Sequence, residues 1–408
     1  MTPSRHENGL EFDEVSGSVT AVLESAPLRP FADPVMSFLG ALSTAIMKDR
    51  DSRRMPDLVS FGYWCRRANL ERMAGRYVFD APVVGRGLAF HVPPTNVPLN
   101  FAYSLVCGLL SGNGNILRMS SVDAIEVSKA IALIDSVLAR EEHKAVRDMV
   151  CIVRYGHDDR VSAYFSGLAN VRIIWGGDAT VLHMRSLPTG PRTVDVAFAD
   201  RTSLALINAA HVSKSSEDEL RADAERFYVD GYTFSQNACS SPRMVVWAGD
   251  ERSVADAKAR FWPAVDAVAL KRGEIEPIHS MNRLVELCQT LVATNVVTDV
   301  HGIQSASARV SISDVTRWQE IASLRFGTFT EATVRNPRDI ERLLDQKVQT
   351  LGVMGFGSDV LSRIAESAAR GGVDRVVPVG AALNFDLVWD GYDLIRTLTR
   401  AVSIGTSS

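Results

Sequence analysis

Apolar positions along the chain change period more than once. Residues 1–25 are polar and carry no regular stripe, so they read as a leader. Residues 31–75 are helical in pattern, with Phe38, Leu39, Leu42 and Ile46 at helical spacing. From residue 83 short apolar runs alternate with helical stretches. The runs 87–92, 115–119, 149–154, 171–175 and 194–208 predict strands; 98–111, 122–141, 158–168 and 178–186 predict helices. In the second of these helices Val127, Ile131, Ile134 and Leu138 make one core-facing stripe. Regular alternation of this kind predicts an α/β fold built on a doubly wound parallel sheet. Such sheets take ligands at the carboxyl ends of their strands, where Asn96, Arg118, Gly176 and Gly177 fall.

A second α/β unit follows. It is read from helix 216–229, strand 243–247, helix 252–270, a strand-like run at 350–355 and helix 358–370. The organisation expected is a first domain over 1–210, a second over 211–384, and a closing segment over 385–408. No internal repeat or low-complexity segment interrupts it.

Composition narrows the classes of function. The 408 residues are 46% hydrophobic and 23% charged, the balance of a globular protein with sizeable cores. A net charge of -4 and no basic stripe with interleaved aromatics argue against nucleic acid as a partner. The polar amino terminus has no signal-peptide core, and no apolar span reaches membrane length, so a cytoplasmic location is expected. Five scattered cysteines (65, 107, 151, 239, 288) suggest neither a disulfide framework nor a zinc knuckle, and no metal is expected. Cys107 and Cys151 lie in apolar runs and read as core; Cys65 and Cys288 lie in helix-like stretches and read as structural.

Cys239 is different. It stands in Gln236-Asn237-Ala238-Cys239-Ser240-Ser241, closed by Pro242, a polar turn ahead of a strand. A thiol there is placed to react, with backbone N–H groups and small hydroxyls near enough to stabilise a thiolate; the other reading is a small buried hydrophobe. Upstream, two prolines end the strand 87–92, and Asn96 follows where a helix begins near Pro98. Its amide can face a crevice at the strand's end, or it can serve as a turn or N-cap residue.

The combination resembles the aldehyde dehydrogenase superfamily. Asn96-Val-Pro98 is similar to that superfamily's oxyanion-hole segment, and Gln236-x-x-Cys239-Ser-Ser-Pro242 resembles the nucleophile loop of its LuxC-type acyl-thioester (acyl-CoA) reductases. Further similar pieces occur in order: Gly112-Asn-Gly-Asn-Ile-Leu-Arg118-Met-Ser120-Ser121, Trp175-Gly176-Gly177-Asp178, Arg375-Val-Val-Pro-Val-Gly380 and Trp389-Asp390-Gly391. The resemblance implies an aldehyde-dehydrogenase-like fold and the transfer of an acyl group from coenzyme A or a carrier protein to Cys239. Reduction to aldehyde follows, with Asn96 and the Cys239 N–H as oxyanion donors. It also implies a closing segment that returns to the first domain or meets a neighbouring subunit in a homo-oligomer, and an acyl-protein synthetase as partner.

The cofactor implied is a nicotinamide dinucleotide. The glycine fingerprint of dinucleotide sites is missing, since Gly85-Arg-Gly87 lacks its third glycine. Arg118 stands where relatives carry lysine and can pair with a 2'-phosphate, with Ser120 and Ser121 adding hydroxyls, which favours NADPH over NADH. A solvated surface arginine is the other reading. Gly176 and Gly177 would bring backbone N–H groups toward the pyrophosphate, and Asp178 caps the helix.

Two absences matter. Oxidising relatives carry a water-activating glutamate where this chain has Phe198-Ala-Asp200-Arg-Thr-Ser203-Leu. Without that base a thioacyl enzyme should outlast its meeting with water, which suits a reductase. Asp200 is the nearest carboxylate and reads as a turn residue. The ribose-binding glutamate before Phe-Gly is also missing, because Leu324-Arg325-Phe326-Gly327 stands there. An aldehyde-oxidising dehydrogenase of the same fold and a non-catalytic scaffold for a synthetase remain as alternatives.

Overall fold

A computed structural model describes residues 5–7, 9–94, 97–119, 124–273 and 277–405. The chain divides into two compact units, one running to Ala199 and resuming at Tyr392, the other spanning Asp200–Gly391. Among the described residues no helix is long and apolar enough to cross a membrane.

In the first unit the runs predicted as strands form Leu88–Val92, Gly114–Met119, Val150–Arg154, Val171–Trp175 and Val194–Phe198. They pair in parallel, and in space the third strand of this set comes first, then the second, first, fourth and fifth. That order reverses between Leu88–Val92 and Val171–Trp175, a topological switch point at whose carboxyl ends such sheets bind ligands. Both strands are buried along their whole length, as a sheet covered by helices on both faces requires. The predicted helices appear as Asn100–Leu110, Ile125–Leu138, Asp159–Leu168 and Asp178–Ser186. Phe38, Leu39, Leu42 and Ile46 are all buried on the helix Asp33–Lys48.

Two expectations are corrected. The polar leader contains structure: Leu10–Gly17 pairs antiparallel with Val150–Arg154, and Arg5–Glu7 pairs with it in turn. This ribbon buries Phe12 and leaves most of its other side chains partly exposed, which is why no apolar stripe marks it. Gly17 closes the approach, because at its φ of 71° a Cβ would lie 2.0 Å from the Val150 carbonyl oxygen. The run 194–208 is two strands, Val194–Phe198 in the first sheet and Thr202–Asn208 in the second. The division therefore falls at 199/200, not near 210. The chain re-enters the first unit at Tyr392, seven residues after the expected 385, and Thr399–Ala401 pairs with Val83–Gly85.

The second unit holds a seven-stranded sheet. Thr202–Asn208 lies beside Pro242–Ala248 on one side and Val348–Met354 on the other, all parallel. Thr328–Val334 and Ala308–Ile312 extend one side in parallel, Arg375–Pro378 extends the other, and Val297–His301 closes an edge antiparallel. Its core is aromatic: Phe227, Trp247, Phe261, Trp262 and Phe329 pack edge-on or tilted, with the Trp247 and Trp262 indoles both donating to buried Glu331.

A buried polar set lies near the switch point of the first sheet. His91 Nδ1 is 2.8 Å from Ser104 Oγ, its Nε2 is 3.0 Å from Asn115 Oδ1, and the Trp175 indole donates to Ser104. Burial pushes His91 down to about 4, so the ring is neutral. Gly108 makes room for this set, since a Cβ there would lie 1.9 Å from Asn115 Oδ1 and 3.1 Å from His91 Nε2. Gly108→Ala should displace Asn115 and cost about 1–3 kcal/mol, read as a lower urea midpoint. An unchanged midpoint would show that the set gives way freely.

Candidate active site

Cys239 lies at the amino edge of the second sheet, three residues before Pro242–Ala248 begins. A loop in that position gains nothing from the strand ladder and needs other anchors. The helix Glu217–Tyr232 ends just before Phe234, Ser235 and Gln236, which turn left-handed at φ of 56°, 51° and 63°. Left-handed backbone costs about 1–2 kcal/mol per non-glycine residue. The fully buried Gln236 side chain offsets it: Nε2 donates to the carbonyls of Pro242 (2.8 Å) and Thr328 (3.0 Å), and Oε1 accepts the Gly327 N–H (3.0 Å). Arg325 adds a bond to Asn237 Oδ1 at 3.1 Å and is held by Glu286 at 2.9 Å. Thus Leu324-Arg325-Phe326-Gly327 clamps the Cys239 loop.

Around the thiol, Ser203 Oγ donates to the Cys239 carbonyl at 2.8 Å and accepts the Thr350 N–H at 3.2 Å. Gln349 Nε2 lies 3.2 Å from Cys239 Sγ. The charge of Asp390 also acts on this sulfur. Asp390 is paired with Arg201 at 3.2 Å, and Arg201 also holds Asp374 and the carbonyls of Val348 and Gly372. Arg375, anchored on the carbonyls of Ala382 and Asn384 and packed over the Trp389 ring, is within electrostatic reach of the sulfur, as is Arg243.

Burial and then the charge of Asp390 push the Cys239 thiol up to about 11, against the Gln349 amide and the N–H groups of Cys239 and Ser240, which lower it. The polar turn suggests a thiolate. The resting group is a half-buried thiol, because desolvation and a facing carboxylate outweigh the donors. Asp390 itself is raised, chiefly by burial. Asp200 is exposed, and the stretch matched to the missing glutamate sets Ser203, not a carboxylate, on Cys239.

The structure places the remaining site residues in the first unit or outside the described residues. Asn96, Ser120 and Ser121 belong to the latter. Arg118 ends Gly114–Met119, donates to the Gly156 carbonyl at 3.2 Å and lies over the Tyr155 ring at 4.8 Å, so it is anchored and not a freely solvated side chain. Gly176 spends its N–H on the Phe198 carbonyl at 3.1 Å and is lost as an anion donor. Gly177, not Asp178, is the N-cap of Asp178–Ser186; no side chain caps it, and the space its Cβ would fill is open. Asp178 sits in the first turn, favourable to the helix dipole. Trp175 stacks on Phe198 with ring centroids 3.6 Å apart beside this opening. An uncapped helix N-terminus at the switch point, with a cation near the carboxyl end of a strand of the same sheet, suits a dinucleotide. Cys65, Cys107 and Cys151 are buried, whereas Cys288 is exposed on its helix.

Gln349 and Asp390 were not singled out by sequence reasoning. Asp390 lies in the Trp389-Asp390-Gly391 piece, and a charged residue between an aromatic and a glycine is the one signal available. Gln349 had none, since it sits in an otherwise apolar strand.

Two parallel sheets, one with a topological switch point and one with a cysteine at its amino edge, define the class. Aldehyde dehydrogenase 21 from Physcomitrella patens matches with a TM-score of 0.64 at 10% identity, over 94% of this chain and 87% of that one. The NAD-dependent benzaldehyde dehydrogenase from Corynebacterium glutamicum matches with a TM-score of 0.63 at 12% identity, over 93% and 86%. The fold is that of the aldehyde dehydrogenases. More specifically, the sequence profile of the acyl-CoA reductase (LuxC) family matches residues 67–401, and the chain belongs to that family. Curated relatives include the long-chain acyl-protein thioester reductases of Photobacterium phosphoreum, 25% identical over 169 residues (40% of this chain, 32% of the relative), and Aliivibrio fischeri, 26% over 168 residues (40% and 33%). The chain thus spans about a third of the length of these relatives.

If Gln236 is the clamp, Gln236→Leu removes three buried bonds and should cost about 2–4 kcal/mol while speeding alkylation of Cys239, which burial keeps protonated, more than that of exposed Cys288. Equal changes at both cysteines, measured by peptide mass spectrometry, would contradict the clamp.

Proposed function

We propose that the protein reduces an acyl thioester, carried by coenzyme A or by a protein, to an aldehyde through an S-acyl intermediate on Cys239. The observation that carries this reading is the thiol itself: within the span matched to the reductase family it is held on an anchored loop, with Ser203 where oxidising relatives place a base. The carboxylate whose charge acts on the thiol, Asp390, already accepts from Arg201, so it is poorly placed to activate water.

In the first half-reaction the Cys239 sulfur bonds the acyl carbon, the donor's carbon–sulfur bond breaks, and the Sγ proton ends on the departing thiolate. The Cys239 N–H and the Asn96 amide are the proposed oxyanion donors, each worth about a hundred to a thousand-fold in rate. A reduced nicotinamide, when bound, supplies the hydride that takes the acyl group to the aldehyde level. Cys239 then leaves with the electron pair of the C–S bond and recovers a proton from solvent. Arg118 is the proposed partner of the cofactor, Ser120, Ser121 and the open N-terminus after Gly177 are proposed as further contacts, and the cation favours NADPH. The relatives named for long-chain acyl-protein thioesters support a protein-borne acyl donor and an acyl-protein synthetase as its supplier. A cytoplasmic location and self-association belong to the same reading.

A screen of acyl-CoA thioesters should find NADPH consumption matched by aldehyde formation. Cys239→Ala, which removes the nucleophile and little volume, should lower that activity at least a hundred-fold. Retention of a tenth or more would remove Cys239 from the mechanism. Oxidation of aldehydes with NADP+ in preference to thioester reduction would favour the oxidising alternative.

A further inference from the structure

We propose that Gln349 is a catalytic residue: its amide nitrogen is the donor that holds the Cys239 sulfur while that sulfur carries charge. This rests on Cys239 being the nucleophile.

Gln349 is 1% exposed on Val348–Met354, the strand beside Thr202–Asn208. A primary amide has two N–H donors on nitrogen and only acceptor sites on oxygen. Its Oε1 accepts the Thr350 hydroxyl at 3.4 Å. With the oxygen turned to Thr350, the nitrogen is the end that faces Sγ, at 3.2 Å. Asp390, whose charge acts on the same sulfur, is fixed by Arg201, and Arg201 by Asp374 and two carbonyls.

What such a donor does follows from the charge on sulfur. A neutral thiol or thioester sulfur accepts weakly, and a thiolate accepts strongly. Sulfur is anionic as it attacks, neutral in the S-acyl enzyme, and anionic again when the C–S bond breaks with its electron pair left on Sγ. A contact that strengthens only in the charged states accelerates both acylation and release, whereas equal binding throughout would accelerate neither. Asp390 acts in the opposite sense on the same atom, by repulsion. The other charges facing the sulfur are Arg375 at the start of its strand and Arg243 on Pro242–Ala248. Neither is hydrogen-bonded to Sγ in the structure's described contacts, so they set a background field and Gln349 makes the directed contact.

The test uses the full chain and iodoacetamide, with no acyl donor or cofactor, so its outcome does not depend on thioester reduction. Alkylation of Cys239 is followed from pH 8 to 11 on its own peptide, because exposed Cys288 also reacts. Gln349→Met removes the donor at nearly constant volume. It should shift the pH–rate curve upward by about one unit, seen as a tenfold slower reaction at any pH below the midpoint. Gln349→Asn, polar but a methylene too short to reach the sulfur, should shift it the same way and serves if the methionine variant folds poorly. Asp390→Asn keeps an acceptor for Arg201 and removes the charge, so it should shift the curve downward. Gln349 curves that superpose on the unmodified protein, or an Asp390→Asn shift in the same direction as Gln349→Met, would overturn the assignment.

Discussion

Cys239, the proposed nucleophile, lies ahead of its strand and depends on anchors outside the strand ladder, chief among them the Gln236 side chain. Three consecutive left-handed residues let the chain leave Glu217–Tyr232 and re-enter at Pro242 with Cys239 at the turn. Backbone of that kind persists only where its surroundings over-determine it. Gln236 does so by tying the start of its own strand to Thr328 and Gly327 on another. The loop is thus fastened to two parallel strands at their amino ends, the edge opposite to the one where such sheets usually bind ligands.

The electrostatics then follow from position. At that edge Ser203 holds the Cys239 carbonyl, Gln349 faces the sulfur, and Asp390, held by Arg201, adds its charge. Burial and Asp390 push the thiol up to about 11, which keeps it protonated at neutral pH. A thiol of this kind is protected from adventitious oxidation, which attacks exposed thiolates. The same carboxylate gives the chain a charge near the intermediate without giving it a free base.

Much of this was legible in the sequence, and the gaps have physical causes. Strands buried on both faces, such as Val171–Trp175, announce themselves as unbroken apolar runs, and the stripe on Ile125–Leu138 fixes its inward face. The edge ribbon Leu10–Gly17 escaped because it buries little beyond Phe12 and Ser16. The run 194–208 read as one strand because Asp200-Arg201 is too short an interruption to register against two apolar flanks, although it divides two sheets. Cys239 stood out for its polar turn. Gln349 could not, since its value lies in reaching across from a neighbouring strand, a relation that spacing along one chain does not contain.

The central claim is that Cys239 carries an acyl group that water does not readily remove. Intact-protein mass spectrometry after mixing with acyl-CoA and no cofactor measures this directly. The account predicts one added acyl mass on Cys239, stable over minutes, and its discharge as aldehyde once NADPH is added. Rapid loss of the adduct as free carboxylic acid would contradict it and would identify a working base at the site, with Asp390 the first to examine.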